Sequence, residues 1–394
     1  MNVQQKNMHH VALLDHYADQ LDQLIRQGNL RQFKSNVQSG REIEINGHRM
    51  LNLSSNDYLG LASDLSLREA FFDLTPVHQR HMSSSSSRLL TGNFPEYEQL
   101  EQTLSQAFGR SALLFNSGYH MNIGILPAIC DARTLVLSDT LIHASMIDGI
   151  RLSKAHCIRF AHNDLAALEQ LIQQHHDQAE IDRIIVVTES IFSMDGDETD
   201  LTALVAIKYR YSKVMLYVDE AHAIGVRGQR GLGCAEQYDV IDDIDFLVGT
   251  FGKALASIGG YLICHAVIRD FLINKMRSLI FSTAQPPLSM AWTYFILEKV
   301  MQMQPQRTQL QDLAHAFQSE ITHKGFHCPS SSHIVPIIIG ESQATVDLAT
   351  SLQQAGFYIM PVRPPTVPQG SSRLRICLNA QVTASELEHL LKLL

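Results

Sequence analysis

Short apolar runs alternate with amphipathic segments over most of the chain. The runs predict buried strands at residues 112–115, 134–137, 157–160, 184–188, 214–218, 246–248 and 261–264. The segments between them have helical spacing. Strands that alternate with helices are typical of a mostly parallel sheet with helices on both faces, so the sequence predicts an α/β fold here.

The N-terminal part has a different pattern. Apolar residues between Leu14 and Ile25 recur at helical spacing and predict an amphipathic helix. Residues 41–45 and 48–53 are predicted to form a hairpin around the two-residue turn Asn46-Gly47. A helix and hairpin placed before the main domain suit an arm that packs on a neighbouring subunit.

The alternation breaks near the prolines at 286 and 287, where a long helical stretch over 291–303 begins the last part of the chain. Strands at 334–339 and 374–378 and further helices then predict a smaller α+β lobe. The sequence therefore predicts three parts: an N-terminal arm over 1–53, a large domain over 54–285 and a small C-terminal domain over 286–394.

Composition excludes several classes of function. The 394 residues are 45% hydrophobic and 18% charged, which is ordinary for a globular enzyme. A formal net charge of −9 without a basic block argues against a nucleic-acid partner. No apolar run has membrane-spanning length, and residues 1–10 lack the apolar core of a signal peptide, so we expect no membrane association and a cytoplasmic location.

The cysteines and histidines do not form metal-binding patterns. The six cysteines are scattered without a Cys-x-x-Cys pair, and we expect all six to be reduced thiols, mostly buried. The 19 histidines show no metal-ligand spacing, so no metal site is expected.

Lys253 is the first candidate for catalysis. It follows the predicted strand at 246–248 within Thr250-Phe251-Gly252-Lys253-Ala254. A lysine among small residues just past a buried strand can be partly desolvated, and burial lowers the pKa of an ammonium group. The neutral amine that results can form a Schiff base with a carbonyl compound.

The ends of two other predicted strands carry groups that could act together with Lys253. Asp219 ends the predicted strand at 214–218, at the edge where parallel sheets bind ligands. The strand at 112–115 runs into Asn116-Ser117-Gly118-Tyr119, a turn of small residues whose N–H groups can hold a phosphate. An amine, a carboxylate and a phosphate cradle together are what pyridoxal phosphate (PLP) requires.

These residues also resemble a known family. The pattern Asp219-x-x-His222 followed by Thr250-x-x-Lys253 is similar to PLP-dependent transferases of the aspartate aminotransferase fold, in particular the α-oxoamine synthases. The resemblance extends from residues 52–60 to Arg373-Leu374-Arg375. It implies condensation of an amino acid with an acyl thioester, release of carbon dioxide, PLP as cofactor, and a homodimer with its active sites at the subunit interface.

The resemblance implies a role for each matching residue. Lys253 would hold the cofactor and remove the substrate Cα proton, and Asp219 would keep the ring nitrogen protonated. His222 would bind the ring oxygen, and His143 would stack on the ring, close to the substrate. The remaining cofactor contacts implied are Gly118, Tyr119, Ser193, Thr250 and, from the second subunit, Ser282 and Thr283.

The tail carries the specificity prediction. Arg363 stands in Pro361-Val362-Arg363-Pro364-Pro365-Thr366, and a guanidinium held between prolines suits a carboxylate, here that of the amino acid. The loop resembles family members that use L-alanine and a pimeloyl thioester, which implies substrate contacts at Thr366 and Arg31. Relatives that pair glycine with an acetyl or succinyl thioester stay open as alternatives. Whether coenzyme A or a carrier protein bears the acyl group also stays open.

A serine run at residues 83–87 departs from the family pattern, which has glycines in the corresponding loop. Any position there with positive φ would be strained, because only glycine adopts that conformation without steric cost.

Overall fold

The computed structural model describes residues 3–394, and their side chains from residue 13 onward. The chain begins with α1 (Val3–Arg26), β1 (Val37–Ser39), β2 (Glu42–Ile45) and β3 (His48–Asn52). Asn46 and Gly47 between β2 and β3 have φ of 53° and 77°. Two successive positive φ angles are what a tight two-residue hairpin turn requires, so the predicted helix and hairpin are confirmed.

The segment before the sheet contains the serine run. It comprises α2 (Leu65–Leu74), a π-helical turn (Arg88–Gly92) and α3 (Pro95–Phe108). Within the run Ser85 has φ 52°, so the position of predicted strain exists. Ser84 is buried, and its hydroxyl donates to the Gln285 carbonyl, which ties the run to the segment that carries Ser282 and Thr283.

The large domain alternates strands and helices as predicted. Its elements in chain order are β4 (Ser111–Phe115), α4 (Gly118–Ile129), β5 (Thr134–Asp139), α5 (Ala144–Leu152), β6 (His156–Phe160), α6 (Leu165–His175), β7 (Arg183–Glu189), α7 (Leu201–Arg210), β8 (Val214–Asp219), α8 (Cys234–Gln237), β9 (Phe246–Thr250) and β10 (Gly260–Cys264). They form a seven-stranded sheet in the order β4-β10-β9-β8-β7-β5-β6. Only β10 is antiparallel to its neighbours, which confirms the mostly parallel α/β fold.

The sheet determines where the candidate residues gather. Because the strands other than β10 run in the same direction, their carboxyl ends share one edge. Asp139, Glu189, Asp219 and Thr250 are the last residues of β5, β7, β8 and β9. Two apolar clusters, one on each face of the sheet, hold these strands in place by removing their side chains from water.

The C-terminal part is built around a small antiparallel sheet. α9 (Ala266–Lys275) and α10 (Arg277–Ile280) precede it and pack on α4 of the large domain. The elements of the C-terminal part are α11 (Pro287–Met301), α12 (Gln304–His323), β11 (Ile334–Gly340), α13 (Ser342–Gln354), β12 (Phe357–Tyr358), β13 (Pro361–Val362), β14 (Ser372–Cys377) and α14 (Ala384–Leu393). The sheet has the order β11-β14-β13.

The N-terminal hairpin joins this part of the chain. β12 pairs in parallel with β3, which makes a separate sheet in the order β1-β2-β3-β12. The hairpin therefore packs on the C-terminal lobe, an arrangement that the sequence did not predict. Among the described residues no helix is both long and apolar enough to cross a membrane.

Candidate active site

Lys253 lies in the loop after β9, and its Nζ is 2.8 Å from Nε2 of His222. Burial lowers the pKa of the Lys253 ammonium to about 8. The carboxylates of Asp219 and Glu189 act in the opposite direction, and the charge of Arg375 lowers the pKa further. Near pH 8 Lys253 is thus available both as a neutral amine and as an ammonium group.

Asp219 is held at the end of β8 by two donors. Its Oδ1 accepts from the Ala221 N–H at 2.9 Å, and its Oδ2 accepts from Nδ2 of Asn122 at 3.0 Å. The hydroxyl of Tyr217 donates to Oδ1 of Asn122 at 2.6 Å, which fixes the orientation of that amide. Asn122 is almost fully buried. It was not predicted as a site residue, because a single asparagine in a helix carries no local sign of function.

Glu189 stands beside Asp219 at the end of the next strand. Burial raises the pKa of Glu189 well above its usual value, and the nearby charge of Asp219 raises it further. Burial and this neighbouring charge therefore favour the protonated form of Glu189. Its Oε1 accepts from the His143 N–H at 2.6 Å, which links the ends of β7 and β5.

His143 precedes α5 and caps its first turn. Its Nδ1 accepts from the Ser145 N–H at 3.2 Å and lies 2.7 Å from the Ser145 hydroxyl. That hydroxyl accepts from Nδ2 of Asn122 at 2.9 Å, so Asn122 connects His143 with Asp219. Burial lowers the pKa of His143, which favours a neutral ring suited to stacking.

The start of α4 has the free N–H groups that the predicted phosphate cradle requires. Ser117 caps the helix by accepting from the His120 N–H at 3.0 Å, while no acceptor among the described residues takes the N–H groups of Gly118 and Tyr119. Thr250 lies against Gly118 and donates to the Gly259 carbonyl at 2.8 Å. Free N–H groups at a helix N-terminus favour a phosphate.

One cavity of about 150 Å³ collects most of these groups. Its lining residues are Gly118, Tyr119, Asn122, His143, Ser145, Glu189, Asp219, Ala221, His222, Thr250 and Lys253. An amine, a buried carboxylate and free helix N–H groups on one cavity match the aldehyde, the ring nitrogen and the phosphate of PLP. The residues present therefore fit this cofactor.

Three predicted cofactor contacts lie outside the lining of this cavity. The Ser282 hydroxyl is 3.1 Å from Nε2 of His120, and the Thr283 carbonyl accepts from Nδ2 of Asn116 at 2.8 Å. Both therefore lie beside the start of α4. The Ser193 carbonyl accepts from Nε of Arg375 at 2.5 Å. The roles assigned to these three residues stay predictions.

Arg375 is a site residue that the sequence analysis did not select. Its Nη1 donates to Oδ1 of Asn56 at 3.1 Å and to Sγ of Cys377 at 2.8 Å. Among the described residues it has no carboxylate partner, whereas Arg373 on the same strand pairs with Asp195. Strand alternation places both arginines on one face of β14, but only the tertiary structure shows which one is without a counter-ion.

Arg31, Arg363 and Thr366 lie together at a second cavity of about 170 Å³. Nη2 of Arg31 donates to the Thr366 hydroxyl at 2.9 Å, and Arg363 donates to the Gly28 carbonyl. None of the three lines the cavity around Lys253. The structure thus groups the three predicted substrate contacts, at a cavity that Lys253 does not line.

The fold and the Lys253 cavity agree with a family comparison. Residues 48–394 match the family model described as aminotransferase class I and II. The chain belongs to this family. Membership confirms the predicted fold class and the predicted cofactor, PLP.

Individual relatives narrow the family to the 8-amino-7-oxononanoate synthases. A putative 8-amino-7-oxononanoate synthase of Pasteurella multocida is 54% identical over 378 residues, covering 95% of this chain and 97% of the relative. The 8-amino-7-oxononanoate synthase of Haemophilus ducreyi is 51% identical over 387 residues, covering 96% and 99%. The predicted enzyme class, a PLP-dependent acyltransferase, is thereby confirmed.

Solved structures give the same result. A serine palmitoyltransferase from S. paucimobilis with a bound PLP–myriocin aldimine superposes with a TM-score of 0.87 at 26% identity, covering 97% of this chain and 96% of that one. An 8-amino-7-oxononanoate synthase from Francisella tularensis has a TM-score of 0.73 at 25% identity, covering 87% and 96%.

Proposed function

We propose that this protein condenses L-alanine with a pimeloyl thioester to give 8-amino-7-oxononanoate, carbon dioxide and the free thiol carrier, as a step of biotin biosynthesis. The supporting observation is the single cavity that brings together Lys253, Asp219 and His222 in a chain of this synthase family. Glycine with an acetyl or succinyl thioester is the alternative substrate pair.

The residues of the cavity divide the binding of the cofactor between them. Lys253 would hold PLP covalently, Asp219 would carry the charge opposite its ring nitrogen, and Gly118, Tyr119 and Thr250 would take its phosphate. When bound, PLP supplies an electron sink for negative charge at the substrate Cα. Burial favours the protonated form of Glu189, so we assign the charge opposite the ring nitrogen to Asp219.

Lys253 is the base in this proposal. Once the amino acid has displaced it, the neutral amine takes the Cα proton, and Nε2 of His222 accepts an N–H of the ammonium that forms. The Cα then forms a bond to the thioester carbonyl carbon while the C–S bond breaks and the thiolate leaves. Loss of the alanine carboxylate as carbon dioxide and return of a proton to Cα complete the reaction.

The two arginine sites suit the two carboxylates of the substrates. Arg375 is tied to the Lys253 network through Asn56 and lacks an acidic partner among the described residues, so we assign it the alanine carboxylate. Arg363, with Arg31 and Thr366, suits the far carboxylate of the pimeloyl chain. The sequence-based assignment of Arg363 to the alanine carboxylate stays a competing prediction.

Paired substitutions separate these assignments. Arg375→Ala is expected to weaken L-alanine binding, measured by spectroscopic titration of the holoenzyme, by about 30-fold or more, since loss of a desolvated charge pair costs about 2–5 kcal/mol. Arg363→Ala is expected to leave that titration unchanged and to raise KM for the pimeloyl thioester. With a heptanoyl thioester, which lacks the far carboxylate, wild type and Arg363→Ala should have similar KM. The opposite pattern would return the alanine carboxylate to Arg363.

Exposed apolar residues next to the site support the proposed homodimer. Phe281 is 72% exposed beside Ser282 and Thr283, and Leu90 is 80% exposed in the preceding π-helical turn. Apolar side chains concentrated near an active site favour a protein contact. The role that the resemblance implies for Ser282 and Thr283 requires a second copy packed at this surface. The molecular mass of the protein in solution tests for the dimer, and a monomer at the concentration used for activity assays would contradict it.

The reaction type is tested with L-alanine labelled with ¹³C in its carboxyl group. Incubation with pimeloyl-coenzyme A should release labelled carbon dioxide and free thiol in equal amounts, together with an amino ketone that retains the alanine methyl group. Thiol release without labelled carbon dioxide would indicate plain acyl transfer or hydrolysis and would exclude decarboxylative condensation.

A further inference from the structure

We propose that Asn56 and Tyr58, anchored by Arg375, are positioning residues that set the tautomer of His222, with its proton on Nδ1 and its lone pair on Nε2. The catalytic consequence rests on the proposed function, but the tautomer itself does not. An unbroken row of hydrogen bonds leads from Arg375 to His222 and ends at Lys253.

The row has four contacts. Nη1 of Arg375 lies 3.1 Å from Oδ1 of Asn56, and the Tyr58 hydroxyl lies 3.0 Å from the same oxygen. The hydroxyl is 2.7 Å from Nδ1 of His222. Nε2 of His222 is 2.8 Å from Nζ of Lys253.

Starting at Arg375, the available donors determine which atom donates and which accepts in each hydrogen bond of the row. A guanidinium group only donates hydrogen bonds, so the oxygen of the Asn56 amide must face it. In the flipped amide, the NH2 group of Asn56 would point at an N–H of Arg375, and two donors would face each other. The single proton of the Tyr58 hydroxyl then goes to that oxygen. The Tyr58 oxygen is left as the acceptor, which His222 meets by donating from Nδ1–H.

The Lys253 end requires the same tautomer. An ammonium group also only donates, so Nε2 of His222 must accept from it. Burial lowers the pKa of His222 well below its usual value, so the ring is neutral and carries one proton. The two ends of the row therefore independently place that proton on Nδ1.

The surroundings keep the row isolated from water. Tyr58 is completely buried, its ring contacts that of His333 at a centroid distance of 4.0 Å, and His222 is nearly buried. Burial raises the pKa of Tyr58, so its hydroxyl keeps its proton. A buried network without competing water holds its donor and acceptor pattern.

The consequence concerns the proton that Lys253 takes from the substrate. An Nε2 lone pair stabilises the ammonium, whereas an Nε2–H would oppose it with a second donor. Tyr58 and Asn56 would thus act on the reaction through His222 without contacting the substrate Cα.

The tautomer can be measured directly. In protein labelled with ¹⁵N at histidine and freed of cofactor, nitrogen–proton correlation spectra should show a protonated Nδ1 and an unprotonated Nε2 for His222, assigned from the signals lost in His222→Gln. Tyr58→Phe removes only the hydroxyl and should shift the population toward Nε2–H. Tyr261→Phe is the matched control, because Tyr261 is equally buried and its hydroxyl has no partner among the described residues. Wild-type protein with the proton on Nε2 would overturn the proposal.

A second measurement follows the effect on Lys253. The rate at which added PLP reacts with the cofactor-free protein depends on the neutral amine and should rise with pH around a midpoint near 8 in wild type. The other charged or titratable groups that face Lys253 are Asp219, Glu189, His143, His333, Arg375 and Cys377. Tyr58→Phe leaves these groups in place, yet its midpoint should fall by about one pH unit, since an Nε2–H disfavours the ammonium.

The control Tyr261→Phe should keep the wild-type midpoint, and kcat of the holoenzyme should fall about 10-fold only in Tyr58→Phe. An unchanged midpoint in Tyr58→Phe would show that the row does not act on Lys253. Because neither the spectra nor the midpoint uses substrate, a wrong substrate assignment would leave both results standing.

Discussion

Replacing Lys253 with alanine is expected to reduce turnover of L-alanine and pimeloyl thioester by at least about 10²-fold, because the residue that takes and returns the Cα proton is lost. The variant should still bind PLP through Asp219 and the start of α4. Turnover is measured as thiol release under saturating substrates. Lys275→Ala, an exposed lysine at the end of α9, is the control and should behave as wild type.

Borohydride reduction tests whether Lys253 is the residue that binds the cofactor covalently. Reduced wild-type protein should carry the cofactor on the peptide that contains Lys253, and Lys253→Ala should carry none on any lysine. Cofactor attached to another lysine in wild type, or wild-type turnover in Lys253→Ala, would contradict the assignment.

Asp219→Asn is expected to cost about 10²-fold or more in turnover while PLP binding persists. The amide has the shape of the carboxylate, but it lacks the negative charge that stabilises a protonated ring nitrogen in a buried site. A cofactor analogue with carbon in place of the ring nitrogen separates charge from shape. The analogue should slow wild type strongly and slow Asp219→Asn little further, because the interaction is already absent. Near-normal turnover of Asp219→Asn with PLP would show that Asp219 is only structural.

The site residues that the sequence predicted are those marked by the apolar runs and helix starts next to them in the chain. Asp219 and Thr250 end apolar runs, Lys253 follows one such run, and Gly118 begins a helix after another, so each was placed by its own neighbours. Once parallel strands are inferred, their carboxyl ends must meet at one edge of the sheet. The cavity was therefore foreseeable from periodicity together with the motif resemblance.

The parts that escaped prediction depend on contacts between distant segments. Arg375 meets Asn56 across 319 positions of the chain, and Asn122 meets Asp219 across 97. Asn56 lies in the stretch 52–60 that resembles the family, but the resemblance implied no role for it, and Asn122 lies in no such stretch. The prolines around Arg363 do predict a stiff loop, but they carry no information on which cavity the loop lines.

In the serine run, too, the local conformation could be anticipated from the sequence but the long-range contact could not. The sequence indicated that a residue with positive φ in this run would be strained, and Ser85 adopts φ 52°. The neighbouring contact from Ser84 to the Gln285 carbonyl spans 201 positions. Propensity therefore identified the conformational cost of the run but not its tertiary contact.

The central claim is the substrate pair, and thiol release measures it most directly. Pimeloyl, succinyl and acetyl thioesters are each paired with L-alanine and with glycine, and kcat/KM is compared over the six combinations. L-alanine with the pimeloyl thioester should exceed every other pair, and Arg363→Ala should lose that preference for the pimeloyl chain. Preference for glycine with a short acyl group would leave the fold and the cofactor site unchanged, but it would contradict the proposed reaction.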